Sequence, residues 1–354
     1  MVGEWTVHGI SRQGGSHVRN NKPNQDSVHC SQFSIAGNVC SAVIVSDGHG
    51  SDAYTRSHIG SHLATESAFE VFSKFALKYY LGNENEKSNS GNDYKYNFAK
   101  LIHKAWRDEI LKECNKESGN DPLQPYGCTL LAVFIFMGKA YFFQLGDGEI
   151  YIQGNDGSLD TLIPFDKEPG EQTDSMCDMH AWKKAEVVTR DASRINMILV
   201  ASDGLSKSFP LQNKEDKYPT AIKSTIDWIK SEILGDGLNL RSKDFEDLLA
   251  TCTTSGSGDD TSIAVAYCKG DLEGLTHPLH PDEDVSKDDE PRGNGGTGKP
   301  ERSTELDKSS NAKPLDDEVA KKSEVLLRKQ SDEFKNNPYH PPSETIKPDF
   351  KGSA

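Results

Sequence analysis

The stretch TLLAVFIFMGKAYFFQLGDGEIYIQ, residues 129–153, restricts the possible fold more than any other part of the chain. It holds three runs rich in β-branched and aromatic residues, 129–137, 140–145 and 149–153, with only Gly-Lys and Gly-Asp-Gly between them. A parallel crossover needs about a dozen residues or more, whereas a short glycine-containing turn reverses an antiparallel pair directly. Two successive antiparallel hairpins are therefore expected. Similar runs at SAVIVS (41–46), NMILVAS (196–202) and TSIAVAYC (261–268) add further strands. Between Asp52 and Leu81, Ile59, Leu63, Ala64, Ala68, Val71, Phe72, Phe75 and Ala76 recur at three- and four-residue steps. That spacing predicts a helix, and it returns around 96–114 and 219–234. Hairpins segregated from helices indicate an α+β fold with helices packed on sheet faces.

A second boundary comes from composition. From Lys269 onward the chain is charged and rich in Pro, Gly and Ser, with no aromatic residue as far as Glu333. Such a segment buries too little apolar surface to offset its ordering entropy, so residues 269–354 are expected to form a disordered acidic tail after a folded domain at 1–268. Within the tail, 318–334 has a weak helical spacing of the kind that frays in isolation or folds against a partner. GNGGTGKP (293–300) imitates a phosphate-binding loop, but it follows no strand and puts Pro300 where a metal-binding hydroxyl belongs.

With 55 acidic and 40 basic side chains the formal charge is −15, which argues against nucleic acid or an anionic membrane as partner. The seven cysteines are scattered without a CxxC pair, so a reducing compartment fits better than a disulfide framework or a zinc knuckle. The most apolar run falls far short of a membrane span. A soluble, cytoplasmic protein is expected.

Acidic residues recur where strands stop: NQDS (24–27), VSDGHG (45–50), QLGDGEI (144–150) and ASDGLS (201–206), with GSGDDTS (256–262) just before the last strand. Taken singly, an Asp-Gly pair is a common turn, and a histidine after it serves equally well as a backbone hydrogen-bonding group. Together the motifs say more, because Asp is disfavoured in strands and a carboxylate near a buried sheet end needs positive charge beside it. If Asp26, Asp47, Asp147, Asp203 and Asp259 converge, oxygen-only ligands favour hard cations such as Mg²⁺ or Mn²⁺. Asp259-Asp260 also imitates a glycosidase acid pair, but no aromatic sugar platform lies nearby, and no Gly-x-Ser-x-Gly elbow or Cys/His nucleophile motif is present.

KPNQDS, VIVSDGHGS, YGCTLLAVFIFMGKAYFFQLGDGEIYI, ILVASDGLS and GDDTSIAVAY, in that order, resemble the motifs of the metal-dependent type 2C protein serine/threonine phosphatases over about residues 8–268, and GGSH followed by KPNQDS is similar to a bacterial branch of that family. The resemblance implies two facing antiparallel β-sheets flanked by helices, an α-β-β-α sandwich, with a two-metal site at one edge. It implies Asp47 as the ligand bridging both ions, a Gly48 carbonyl ligand, Asp203 and Asp259 completing the first ion's shell, Asp26 in the amino-terminal acidic motif, and Asp147 holding metal-bound water or a third ion. His49 matches the proposed general acid. Arg19 is the arginine nearest NQD for clamping phosphate, with Arg12 and Arg56 as rivals.

The implied chemistry is direct attack on phosphoserine or phosphothreonine by water activated between two Mn²⁺ or Mg²⁺ ions, with no phosphoenzyme. The implied partner is a phosphorylated protein, the target of a serine/threonine kinase, acted on by a monomer. Two departures bear on this. Gln25 stands where relatives commonly carry glutamate, and Lys207 where an aspartate is common, which speaks against a third ion. The lysine either replaces that ion's charge, approaches the substrate phosphate, or is simply solvated. Two other readings stay open: a catalytically weak relative that binds phosphoproteins as an adaptor, and a phosphoesterase for small molecules. Segment 154–195 is expected to contain a mobile flap beside the site.

Overall fold

The structure is a computed structural model, and it describes residues 4–274 apart from 36, 82–83, 115–121, 164–172, 210–217 and 236. The described residues all fall in one compact unit, Met1–Asp284. The expected tail beyond residue 274, including 293–300 and 318–334, lies outside the described residues, as does part of the expected flap.

The first half of the fold runs β1 (Trp5–Arg12), α1 (Gly15–Arg19), β2 (Ser27–Ile35), β3 (Asn38–Ser46), α2 (Ser57–Leu81) and α3 (Glu84–Glu113). Next come β4 (Leu130–Phe136), β5 (Lys139–Leu145), β6 (Glu149–Gly154), β7 (Leu159–Thr161), β8 (Glu186–Asp191) and β9 (Ile195–Ala201). The order closes with α4 (Asp203–Ser206), α5 (Thr220–Leu234), α6 (Lys243–Ser255), β10 (Thr261–Cys268) and α7 (Lys269–Gly274). Two five-stranded sheets form, ordered β1-β10-β9-β6-β7 and β2-β3-β4-β5-β8, with every neighbouring pair antiparallel. This is the α-β-β-α sandwich.

The layering follows from the two-residue period of a strand. In β4, Leu131, Val133 and Ile135 enter the core between the sheets, while Leu130, Ala132, Phe134 and Phe136 face α2 and α3. In β9, Ile198 and Val200 join the central core, while Met197, Leu199 and Ala201 pack with Ile222, Ile226, Phe245 and Leu249 of α5 and α6. A strand covered on both faces has no position for a polar residue, which is why these segments read as unbroken apolar runs. Burying each large side chain such as Phe134 contributes roughly 1.5–3 kcal/mol. Leu272 of α7 is also fully buried in the layer with α5, so the chain stays in the fold past the boundary expected at Cys268.

One expected hairpin is corrected. β4 and β5 do pair, through a two-residue turn at Met137 and Gly138, both at positive φ. β5 and β6 do not: β5 belongs to one sheet and β6 to the other, beside β9. Gly-Asp-Gly is therefore a crossing between sheets. Gly146 takes φ +106° there, and Gln144 Nε2 donates to the Gly148 carbonyl at 2.7 Å to hold the corner. A Cβ on Gly148 would lie 2.6 Å from the Ala201 carbonyl of β9. The crossing places Asp147 where the two sheets open.

Candidate metal centre

Four elements end at this opening. β3 runs out at Ser46 into Asp47, Gly48 and His49, the β5–β6 crossing carries Asp147, β9 leads into α4 with Asp203 in its first turn, and Asp259 precedes β10. Asp47, His49, Asp147, Asp203, Lys207 and Asp259 line one cavity of about 280 Å³, together with Gly50, Ser51, Tyr54 and Thr173. Carboxylates separated by up to about two hundred positions in the chain thus share one site. Asp26 and Gly48 are not among the lining residues and are buried.

The local fold explains why these residues are held there. Asp47 N donates to Thr129 Oγ1 at 3.0 Å, and Thr129 N donates to the Asp47 carbonyl at 2.7 Å. Gly48 N donates to the Gln25 carbonyl at 3.1 Å, and a Cβ at Gly48 would lie 2.6 Å from that oxygen and 2.9 Å from Ser57 backbone atoms. Only glycine fits there without displacing backbone. Asp260 ties the loops together: Oδ1 accepts from Gly14 N at 2.6 Å, Oδ2 accepts from Gln25 N at 2.5 Å, and His17 Nδ1 lies 2.8 Å from Oδ2. Asp260 is therefore an architectural carboxylate, not half of a glycosidase pair.

The electrostatics report crowding of like charge. Burial pushes the Asp47 carboxyl well above the usual carboxylate range, and Asp26, Asp203, Asp259 and Asp147 push it further. Asp26 is raised in the same way by burial and then Asp260, against hydrogen bonds from Ser262 and Ser202, with Asp203 adding to the rise. Burial and Asp147 lift Asp203 to about 7 in spite of Lys207. Beneath them, burial also raises buried Glu149, although Ser206 Oγ donates to its Oε1 at 2.7 Å. His49 is shifted down by burial, against the pull of Asp147 and Asp178; its ring packs edge-on to Tyr54 at 4.7 Å and its Nε2 is buried without a partner.

This donor set suits hard divalent cations. Asp26 Oδ1, Asp203 Oδ1 and Gln25 Oε1 are buried oxygens without a hydrogen-bond partner, an arrangement that is costly unless something positive approaches them. Among the described residues, no three His, Cys, Asp or Glu side chains already stand at clasping distances. Uncompensated carboxylates repel one another and turn to the donors at hand: Ser202 Oγ bonds Asp26 Oδ2 at 2.8 Å, and Lys207 Nζ bonds Asp203 Oδ2.

The arginines are placed elsewhere. Arg19 is exposed at the end of α1 and does not line the cavity. Arg12 Nη1 donates to the Glu246 carbonyl at 3.2 Å, and Arg56 Nη1 to Tyr126 Oη at 2.9 Å. Among the described residues, the lysine or arginine that lines the cavity is Lys207; Lys22 Nζ donates to the carbonyl of Gly50, one of the lining residues, at 2.7 Å. Thr173 and Tyr54 were not legible as site residues, since neither belongs to a quoted motif and only the closed fold brings them to the cavity; Lys22, Ser202 and Asp260 lie within the quoted motifs, but their supporting contacts show only in the fold.

The protein phosphatase 2C profile matches residues 13–250. The chain belongs to the protein phosphatase 2C family. This phosphatase is also similar to solved structures, among them the catalytic domain of the serine/threonine phosphatase PstP in complex with two manganese ions. That pair has 17% identity, coverage of 74% of this chain and 97% of the other, and a TM-score of 0.48. Stp1 from Staphylococcus aureus gives 12% identity, 75% and 95% coverage and 0.47. The serine/threonine phosphatase of S. agalactiae gives 16% identity, 75% and 99% coverage and 0.46. No similar sequence is found among curated proteins. All seven cysteines of this phosphatase are free thiols, and among the described residues no helix is long and apolar enough to cross a membrane.

Proposed function

We propose that this phosphatase hydrolyses phosphoserine and phosphothreonine in proteins at a centre for two Mn²⁺ or Mg²⁺ ions, built on Asp47, Asp203 and Asp259, with Asp26 and Asp147 in support. One observation carries most of the weight: Asp47, Asp147, Asp203 and Asp259, from four distant parts of the chain, line one cavity. When bound, divalent ions supply charge neutralisation at the phosphoryl group and an acidified attacking water. The chain's own contribution is positioning. Asp47 is fixed from both sides by Thr129, and Gly48 keeps the backbone against Gln25.

His49 opens on the same cavity, where it can hand a proton to the departing serine or threonine oxygen. Its ring is held by Tyr54 and its backbone N–H by the Gly127 carbonyl at 3.1 Å. Arg19 would serve the phosphate only after a rearrangement of α1. The substrate is a phosphorylated protein that a serine/threonine kinase has modified, and the enzyme works as a monomer. A cytoplasmic location accords with the seven free thiols.

The test is Mn²⁺-dependent turnover of p-nitrophenyl phosphate and of a phosphothreonine peptide by the full chain and by Asp47→Asn. Turnover that needs Mn²⁺ and disappears in the variant supports the proposal. Wild type without metal-dependent turnover points to a phosphoprotein-binding adaptor. Preference for nucleotides over phosphopeptides points to a small-molecule phosphoesterase.

A further inference from the structure

Lys207 is a lysine inside a nest of carboxylates. Its ammonium donates to Asp203 Oδ2 and lies 3.5 Å from Asp147 Oδ2, and its side chain is 54% exposed. It lines the same cavity as Asp47, His49 and Asp259. The backbone sets it there: Lys207 N donates to the Asp203 carbonyl at 2.8 Å, closing the turn of α4 so that the side chain folds back over its own first residue. The two oxygens of Asp203 are thereby divided. Oδ2 is taken by the ammonium, while Oδ1 is buried and unpartnered. On the other side, Asp147 Oδ2 receives Thr173 Oγ1 at 2.8 Å as well as the ammonium.

We propose that Lys207 is a tethered cation of the metal centre, holding the gap between Asp147 and Asp203 in place of a further divalent ion. This assignment rests on the metal-centre function proposed above and deepens it. An ion seated between the two aspartates would compete with Lys207 and Thr173 for Asp203 Oδ2 and Asp147 Oδ2. It would also stand against an ammonium of like charge, so the two cations exclude each other. The lysine leaves Asp203 Oδ1 unpaired, so that Asp203 could still serve a divalent ion together with Asp47 and Asp259, which line the same cavity. Of the three roles open to Lys207 from sequence, replacing an ion's charge is the one that this geometry favours.

The experiment counts metal. Full-length wild type, Lys207→Met and Lys207→Asp are stripped with chelator, titrated with Mn²⁺ by calorimetry, and assayed for bound manganese after gel filtration. Lys207→Met keeps the length of the stem without its charge, and a half-exposed position tolerates both changes. Wild type is expected to bind about two Mn²⁺ per chain and Lys207→Asp about three. Lys207→Met gains the same extra ion at roughly ten-fold or more weaker affinity than Lys207→Asp, having lost the repulsion without gaining a ligand. Three ions on wild type, or identical counts and affinities in all three proteins, overturn the assignment and leave the metal centre standing. A folded wild type that binds no Mn²⁺ overturns both.

Discussion

Replacing Asp203 by asparagine is expected to stabilise the metal-free protein at neutral pH and to leave it unchanged in acid. Asp203 is 5% exposed, and burial with Asp147 beside it holds its carboxyl at about 7 in place of the usual 3.8. At about 1.4 kcal/mol per pH unit that difference amounts to roughly 4 kcal/mol. The unfolded chain releases this proton near pH 3.8 and the folded chain keeps it until about 7, so between those values the folded state binds more protons and stability falls as pH rises. Above pH 7 the full penalty is present; below 3.8 it is absent. Asparagine carries no such penalty, but it weakens the contact with Lys207 and returns only part of the total. We expect a gain of about 2 kcal/mol at pH 7.5, equivalent to roughly 4–8 °C in Tm for a domain of this size, and none near pH 3.5. Calorimetry in the presence of EDTA measures it. With saturating Mn²⁺ the order reverses, because wild type gains about 2.7 kcal/mol at a hundred times Kd while the variant has lost a ligand. A variant no more stable than wild type at pH 7.5, or equally more stable in acid, refutes the reasoning.

Three further outcomes follow from named contacts. Asp260→Ala strands the buried N–H groups of Gly14 and Gln25 and is expected to cost about 3 kcal/mol or more, read as a lower Tm with or without Mn²⁺. Gly48→Ala forces a methyl to 2.6 Å from the Gln25 carbonyl, costing about 1–3 kcal/mol and Mn²⁺-dependent activity together; a fully active variant would show that the Asp47 loop is not held as described. His49→Gln is expected to lower kcat on a phosphothreonine peptide by roughly 10²–10⁴-fold, and far less on p-nitrophenyl phosphate, whose leaving group needs little protonation; equal losses on both substrates would remove His49 from proton transfer.

Much of this was legible because the central strands leave so little choice. β3, β4, β5, β6, β9 and β10 are apolar on both faces, so they announce themselves as continuous runs, and the DG and DD motifs mark where they end. β1 and β2 were not legible for the opposite reason: they form one edge of each sheet and carry His8, Gly9, Ser11, His29, Ser31 and Gln32 among their apolar residues. α6 escaped because Thr251, Thr253, Thr254 and Ser255 give it weak propensity, and it forms through its Ser242 cap and the burial of Phe245, Leu249 and Cys252.

From sequence the crossing at Gly146–Gly148 reads as a hairpin, because a short glycine turn looks the same whether the next strand pairs with its predecessor or moves to the other sheet. Only the whole topology decides. The same limit applied to the site. Motifs marked Asp47, Asp203 and Asp259, but which cation reached them depended on how the loops close, and that brought Lys207 to the cavity and left Arg19 exposed.

Anomalous scattering from crystals of the full chain soaked in Mn²⁺ tests the central claim most directly. Two manganese peaks within the cavity, with Asp47 touching both and Asp203 and Asp259 touching one, are the predicted result. Peaks that avoid Asp47, or none at a Mn²⁺ concentration that supports turnover, would contradict it.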